Sequence, residues 1–358
     1  MNEKVAIIIP TKNRFDFIKR LLQYYHSVQS FHPIYIGDSS DDSEKNKILK
    51  ILDDYRKYFE VHYFYYPAEP YRNGPEVMMK IADNVKEKYC TYAGDDDFFI
   101  PTSLSKCANF LENNNDYRTA QGKRYLFSVE KDKAYGQIKR TDLCRINDKS
   151  VEQESAEERL ISFSKDYWGL QFSVHRTNEF IRDSENFRII EEEDIFHELI
   201  HCFTFIARGK SKFLDCFYLL RQAHENRIRH DDIYDWIANS KWNSSYNLFI
   251  KSISNILIDI DGLSDVKSRE ISQKVFWTYL HFVIEENIYF DTPNQEKNSI
   301  DNIKNLTKHF LKKRLSPNRI NLLKNIRDKI SSSDDNLLSK KSKYYNDFIP
   351  LLKTIEKK

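Results

Sequence analysis

The chain has 358 residues, with 56 Lys and Arg against 54 Asp and Glu, so its formal net charge is +2 at pH 7. That balance excludes a protein drawn to nucleic acid by its overall charge. A hydrophobic fraction of 40% and an aromatic fraction of 14% exclude a disordered chain and predict packed cores. The chain has eight glycines, where average usage of about 7% would give roughly 25. A β protein built on many tight glycine turns is therefore excluded.

Strands and helices alternate over the first 110 residues. Apolar runs predict strands at residues 5–9, 34–36, 61–65 and 89–93, and helical spacing predicts helices at 15–30, 43–58 and 76–86. This order predicts an α/β fold with a mostly parallel sheet flanked by helices. In such sheets, ligands bind beyond the carboxyl ends of the strands.

The rest of the chain is mixed at first and then helical. Strand-like stretches occur at residues 125–129, 169–175 and 213–220, with one clear helix at 194–207. Beyond residue 235 the pattern predicts helical segments at 236–258, 268–284, 300–315, 317–330 and 344–355, with a loop at 331–336. We therefore expect a helical extension after an α/β body.

The N-terminus and the cysteines bear on the compartment. Residues 5–9 are apolar, with no basic segment before them and no cleavage site after them, which predicts a buried strand and not a signal peptide. The longer apolar runs, such as residues 275–284, are well short of the roughly 18 residues of a membrane span. The five cysteines are widely spaced and form no CxxC pair, which favours reduced thiols. We expect a cytoplasmic protein.

Polar clusters follow three of the predicted strands. They read PTKNR at residues 10–14, GDSSDD at 37–42 and GDDDFF at 94–99. Because the carboxyl ends of parallel strands meet at one edge of a sheet, we expect these clusters to lie together. Three of the eight glycines, Gly37, Gly74 and Gly94, lie close to the clusters, where the backbone turns sharply or lets a ligand approach.

The third cluster contains three consecutive carboxylates, Asp95, Asp96 and Asp97. A divalent cation would relieve their repulsion, because Mg²⁺ and Mn²⁺ prefer hard oxygen ligands and usually also bind substrate phosphates. A solvated acidic turn is the alternative interpretation of such a triplet. Its position directly after an apolar strand that ends in Gly94 favours the cation.

In this order and spacing, the three clusters resemble the landmarks of GT-A fold, family 2-like nucleotide-sugar glycosyltransferases. The resemblance covers residues 4–110 well and extends more weakly to about 230. It implies a GT-A, Rossmann-like domain over residues 1–235, with a nucleotide-binding half at about 1–110 and an acceptor half at about 111–235. Residues 236–358 would form the basic, helical C-terminal extension.

The resemblance also implies roles for residues that bind the donor. Asp38, next to Ser39, corresponds to the carboxylate that reads the base. The loop that wraps the nucleotide corresponds to Pro10, Thr11, Asn13 and Arg14.

A metal site for Mn²⁺ or Mg²⁺ follows from the same resemblance. Asp95 and Asp97 match the ends of the DxD motif, which contacts the ribose and the metal, although Asp96 could serve in place of Asp95. A later segment, RQAHEN at residues 221–226, is similar to the family's Arg-x-x-His segment. There Arg221 would face the phosphates and His224 would complete the metal site. A surface histidine is the alternative for His224.

Residues 197–201 read HELIH, the pattern in which two histidines one helical turn apart bind Zn²⁺ and the glutamate activates water. A zinc metallopeptidase is therefore the alternative function. That interpretation leaves the three strand-end clusters unexplained. In the resembling family, a carboxylate on this helix deprotonates the acceptor hydroxyl, so Glu198 and Asp194 are near-equal candidates for the base, with the spacing from Glu198 to Gly209 fitting the family slightly better. A solvated acidic helix start is the alternative interpretation of residues 191–194.

The end of the chain carries most of its positive charge. Residues 304–358 hold fifteen Lys and Arg against five Asp and Glu. Apolar spacing at residues 320, 323, 326 and 330 favours a helix packed on the body with a solvated basic face. Attraction to an anionic membrane, or to an anionic lipid-linked glycan, is the functional alternative. Nucleic-acid binding is disfavoured because no reader motif accompanies the charge.

Together these features predict a cytoplasmic, metal-dependent glycosyltransferase, with peripheral association at the inner membrane face as a variant of that location. It would move a sugar from a nucleotide sugar to a glycan or lipid-linked acceptor, as in bacterial surface polysaccharide synthesis. A UDP sugar is favoured as donor only because it is the commonest in the resembling family.

Overall fold

The computed structural model describes residues 3–67, 74–129, 133–143, 149–185, 194–223, 233–291 and 337–356. Its strands are β1 (Val5–Thr11), β2 (Ile34–Asp38), β3 (Val61–Tyr65), β4 (Tyr89–Tyr92), β5 (Asp97–Phe99), β6 (Tyr117–Val129), β7 (Ile138–Leu143), β8 (Val174–Arg176) and β9 (Lys210–Gln222). Its longer helices are α1 (Phe15–Ser27), α2 (Asp42–Tyr55), α3 (Gly74–Ala82), α4 (Pro101–Asn113), α5 (Ala156–Ser164), α6 (Thr177–Asp183), α7 (Asp194–Arg208), α8 (Ile233–Ala238), α9 (Trp242–Asp261), α10 (Asp265–Asp291) and α11 (Tyr345–Ile355).

One sheet organises the described residues, in the strand order β3-β2-β1-β4-β8-β6-β9-β5, with β7 paired to β6. Strands β1 to β4 are parallel to one another, as the alternating pattern predicted. The later strands mix directions, because β8 runs antiparallel to both of its neighbours while β6 and β9 run parallel. The parallel half carries the predicted nucleotide-binding edge.

The sheet is covered on both faces, which explains the continuous apolar run at the start of the chain. Val5, Ile7 and Ile9 point into one core, and Ala6 and Ile8 into the other. All five are fully buried. Side chains alternate between the faces of a strand, so a strand between two helical layers is apolar at every position.

Two predicted elements have different forms in the structure. The strand-like stretch at residues 169–175 is mainly a 3₁₀ turn, Leu170–Phe172, and only β8 after it joins the sheet. The turn is closed by a bond from the Ser173 amide to the Leu170 carbonyl. The helix predicted at 236–258 is divided into α8 and α9, because the Asn239 side chain accepts the Lys241 amide and ends the first helix. The segments predicted at 300–315, 317–330 and 331–336 lie outside the described residues.

Helices after β9 pack on the body at two places. Helix α9 packs on α7, and α10 packs on α9 and α5, whereas α11 returns to α1. The Gly136 amide donates to the Ile355 carbonyl at 3.0 Å, so α11 also holds the β6–β7 connection. None of the described helices is long and apolar enough to cross a bilayer. The described part of the basic tail is thus a packing element of the α/β body.

Truncating α11 in the core should destabilise the protein. Leu351 is fully buried in the same core as β1, so Leu351→Ala should lower the free energy of unfolding by about 2–5 kcal/mol. Urea denaturation measures this difference. Lys353→Ala, at an exposed position of the same helix, is the control and should change it by less than about 0.5 kcal/mol. Equal stability of the two variants would show that α11 is not docked.

Candidate active site

The polar residues that follow β1, β2 and β4 meet at one edge of the sheet, as predicted. Thr11 lies beside Asp38 in the β1–β2 register, and the Ser39 amide donates to the Thr11 carbonyl at 2.9 Å. Thr11 Oγ1 donates to Asp95 Oδ2 at 2.7 Å. The carboxyl ends of these strands therefore form one polar site.

Asn13 ties the loop after β1 to the loop after β2. Its amide donates to Ser40 Oγ at 2.7 Å, and its side-chain oxygen accepts the Asp41 amide at 2.9 Å. Asn13 has φ of 54°, a left-handed conformation that asparagine tolerates better than most residues. Pro10, which stands opposite Gly37 in the neighbouring strand, leads into this loop.

Asp38 is fully buried at the end of β2. Its Oδ1 accepts the Ser40 amide at 2.8 Å, and its Oδ2 accepts the Tyr63 hydroxyl at 2.7 Å. Tyr63 was not predicted as a site residue, because its place in β3 shows only after the strands are set in register. Ser39, the other residue predicted here, is partly buried. The end of β2 therefore presents a carboxylate that is held in place with a phenol beside it.

The turn at residues 94–97, here called the acidic turn, carries the three carboxylates. Asp95 pairs with Arg14 Nε at 3.2 Å and Asp96 with Arg14 Nη2 at 2.9 Å. Asp97 stands opposite Arg221 in the β5–β9 register, and Arg221 Nε lies 3.2 Å from its Oδ2. A Cβ atom on Gly94 would lie 2.6 Å from Asp96 Oδ1, so glycine allows the carboxylate to approach the backbone.

Burial shapes the electrostatics of this turn. Burial raises the pKa of both Asp95 and Asp97 above the usual range of a carboxyl, while Arg14 and Arg221, respectively, act in the opposite direction.

The residues predicted to bind the nucleotide sugar, Thr11, Arg14 and Arg221, are in contact with the predicted metal ligands. The sequence had placed Arg221 some 120 residues away from the acidic triplet, and only the β5–β9 pairing brings them together.

The carboxylate oxygens of Asp95 and Asp97 are the hard donors that suit Mg²⁺ or Mn²⁺. Their raised pKa is the response of a carboxyl to a dry, acidic surrounding, which a bound cation would relieve. The third predicted ligand, His224, lies outside the described residues. Within those residues, no group of three His, Cys, Asp or Glu is arranged as a ligand set. The carboxylate oxygens present are chemically suited to a divalent cation, and the dependence of the activity on a metal stays a proposal.

Glu198 is held by neighbouring side chains. Tyr167 donates its hydroxyl to Glu198 Oε1 at 2.8 Å, and Gln171 donates Nε2 to Oε2 at 2.8 Å. The next residue, Phe172, stacks under the Arg221 guanidinium at 4.1 Å. Glu198 is thereby linked through the 3₁₀ turn to the partner of Asp97. The other base candidate, Asp194, begins α7, and its side chain lies outside the described residues.

The histidines of the HELIH sequence face the protein interior. His197 and His201 are each 2% exposed. His201 forms a hydrogen bond with Ser184 Oγ and packs on the Phe205 ring at 4.3 Å. Burial holds the pKa of His201 well below its usual range. These contacts give His201 a packing role, and His197 is buried on the same helix. The pattern is explained by the helical spacing of buried residues on α7.

Residues 6–176 match the family model described as Glycosyl transferase family 2. Among solved structures, S. aureus TarS 1–349 in complex with UDP-GlcNAc aligns over 82% of this chain and 77% of that chain, at 14% identity and a TM-score of 0.50. The S. aureus TarS 1–349 structure aligns over the same shares at 12% identity and a TM-score of 0.47. No curated protein matches the chain.

The family match runs from β1 to the end of β8 and includes all three polar clusters. The similarity to TarS shows a shared GT-A fold. The region 6–176 is therefore a glycosyl transferase family 2 domain, and the protein is a glycosyltransferase.

Proposed function

We propose that this glycosyltransferase moves a sugar from a nucleotide sugar to a hydroxyl of a glycan or lipid-linked acceptor in bacterial surface polysaccharide synthesis. The observation that carries the proposal is the acidic turn, which meets Thr11, Arg14 and Arg221 at the carboxyl edge of the parallel strands. Such an edge is where a nucleotide binds in an open α/β sheet.

The leaving group of such a reaction is a nucleoside diphosphate, on which negative charge develops as the bond to the sugar breaks. Arg14 and Arg221 form ion pairs with carboxylates of the acidic turn, and both can turn from a carboxylate to a phosphate oxygen. A divalent metal, Mn²⁺ or Mg²⁺, would be held by Asp97 and Asp95, with His224 as a further ligand. When bound, it supplies Lewis-acid stabilisation of the diphosphate.

Asp38 is the residue proposed to bind the nucleobase, with Ser39 beside it. Its two oxygens accept one described side-chain or backbone donor each, from Tyr63 and Ser40. A carboxylate has about four lone-pair positions, so an N–H of a base can still be accepted. The loop formed by Pro10, Thr11, Asn13 and Arg14 would lie against the ribose and phosphates.

Transfer of the sugar to the acceptor hydroxyl needs a general base. A carboxylate on α7, Asp194 or Glu198, would take the proton from the acceptor hydroxyl as its oxygen bonds to the anomeric carbon. The bond from that carbon to the diphosphate oxygen breaks in the same process, so one proton moves to the protein and the electron pair leaves with the nucleotide.

A UDP sugar is the donor we propose to test first. The TarS structure that shares the fold was solved in complex with UDP-GlcNAc, and that ligand belongs to TarS. The contact with an anionic membrane, proposed for residues 304–358, concerns mainly residues that lie outside the described part of the chain.

Binding of nucleotides to the full chain tests the proposal. The Tm shift caused by UDP-GlcNAc and by UDP should be compared with the shift caused by GDP, CMP and dTDP sugars. Each ligand is measured with Mn²⁺ and with EDTA. A ligand present at 100 times its Kd raises the free energy of unfolding by about 2.7 kcal/mol. We expect a UDP ligand to raise Tm with Mn²⁺ and much less with EDTA. ADP is the mismatched control, and the absence of a shift with every nucleotide sugar would contradict the proposal.

A further inference from the structure

Arg20 is a fully buried charged side chain on α1, directly behind the acidic turn. It is 0% exposed and lies between Phe17 and Tyr24 on the helix face that packs on the sheet. Arginine is among the residues that are almost never fully buried unless paired. An apolar residue would be the ordinary choice at this position.

The Arg20 guanidinium contacts three separate backbone or side-chain acceptors. Nη1 donates to Gln222 Oε1 at 2.7 Å and also to the Ala134 carbonyl. Nη2 lies 3.5 Å from the Asp96 carbonyl. The rings of Phe17 and Phe98 lie 5.0 and 4.8 Å from the guanidinium carbon. Arg20 therefore touches the acidic turn, the end of β9 and the β6–β7 connection at once.

These contacts do not fully compensate the burial of the charge. Burial lowers the pKa of Arg20 to about 10, whereas the nearby carboxylates Asp96 and Asp95 raise it, so the side chain is charged at neutral pH. Its Nε has no hydrogen-bond partner among the described residues. Replacing a buried charge by an apolar group of similar volume is often neutral or stabilising. A buried and incompletely paired arginine directly behind the acidic turn points to a task other than stability.

We propose that Arg20 is a positioning residue for the donor site. Asp96 precedes Asp97 in the chain, and Gln222 follows Arg221. Arg20 therefore contacts a chain neighbour of each member of the Asp97–Arg221 pair. Through these two contacts Arg20 sets the positions of the Asp97 carboxylate and the Arg221 guanidinium at the site where the diphosphate is proposed to bind. The inference rests on the proposed function, in which the acidic turn binds the donor.

Hydrogen exchange in the unliganded full chain tests the positioning without any ligand. In Arg20→Met, amides of residues 93–99 and 218–223 should exchange at least about tenfold faster, while those of α9 keep their rates. Lys19→Met removes a positive charge from the same helix and should leave both segments unchanged. Unchanged exchange at residues 93–99 in a folded Arg20→Met protein would overturn the inference, as would a uniform increase over the whole chain.

Titration with UDP and Mn²⁺ separates positioning from folding, because stoichiometry reports the folded fraction and Kd reports the site. Arg20→Met should raise Kd about tenfold at unchanged stoichiometry, and Arg20→Lys should recover only part, since an ammonium cannot reach all three acceptors. A lower stoichiometry with unchanged Kd would show a merely structural role and overturn the inference.

If Arg20→Met does not fold, hydrogen exchange and the titration with UDP are measured on Gln222→Met, which keeps the charge of Arg20. It should loosen residues 218–223 and weaken UDP binding, and wild-type behaviour in both would overturn the inference. If the wild type does not bind UDP, the proposed donor is wrong, and the exchange rates alone decide the role of Arg20.

Discussion

Asp97→Asn should lower kcat roughly a thousandfold and remove the effect of Mn²⁺ on donor binding. Asp97 is 1% exposed and faces Arg221 at the edge where the diphosphate is proposed to lie. Asparagine preserves the shape but neither the charge nor the metal affinity of the carboxylate. Donor hydrolysis and sugar transfer, each measured over a Mn²⁺ titration, provide the test.

The same variant should remain folded. Because burial raises the pKa of Asp97, an ionised carboxylate there costs stability at pH 7, so Asp97→Asn should have a Tm at least equal to that of the wild type. Asp54→Asn, an exposed position on α2, is the control and should keep full activity. Mn²⁺-stimulated turnover within tenfold of wild type in Asp97→Asn would refute the assignment of Asp97 to the metal.

Asp194→Asn should lower kcat by about 10²–10⁴-fold, the contribution typical of a general base, while the Kd of the donor stays near its wild-type value. Glu198→Gln should lower kcat less than tenfold. The structural reason is that both oxygens of Glu198 already accept hydrogen bonds, from Tyr167 and Gln171. We expect a carboxylate held on both oxygens mainly to position the 3₁₀ turn.

Single-turnover transfer, with donor affinity measured separately, distinguishes the two carboxylates. Glu158→Gln, an exposed position on α5, is the control and should behave as the wild type. A loss of kcat in Glu198→Gln as large as that in Asp194→Asn, with both proteins folded, would assign the proton transfer to Glu198.

The nucleotide-binding edge could be predicted from the sequence because its signals are local. An apolar run followed by polar residues marks the end of a buried strand, and three such ends in a βα repeat meet at one edge. Thr11 and Asp95, 84 positions apart, are in hydrogen-bond contact for this reason. The strand-like stretch predicted at 169–175 was wrong over residues 170–172, where the Leu170 amide is bound by Cys202 Sγ of α7, a tertiary contact that no local pattern shows.

The interpretation of HELIH shows the limit of motifs. Two histidines four positions apart on a helix are neighbours, whether they face a metal or a core. Only the ring contact of His201 with Phe205 and its hydrogen bond with Ser184 show that it faces the core and not a metal. Arg20 is the converse case, because no motif marks it and its three acceptors come from distant segments of the chain.

The α/β class, the family resemblance and the strand-end clusters could be read from the sequence, since they depend on periodicity and short-range order. The contact of Arg221 with Asp97, the hydrogen bonds of Glu198 with Tyr167 and Gln171, and the place of α11 in the core emerged only from the folded chain. The reason is physical: strand pairing and burial between residues far apart in the chain set these contacts, and no local pattern specifies which distant partner a polar side chain will meet.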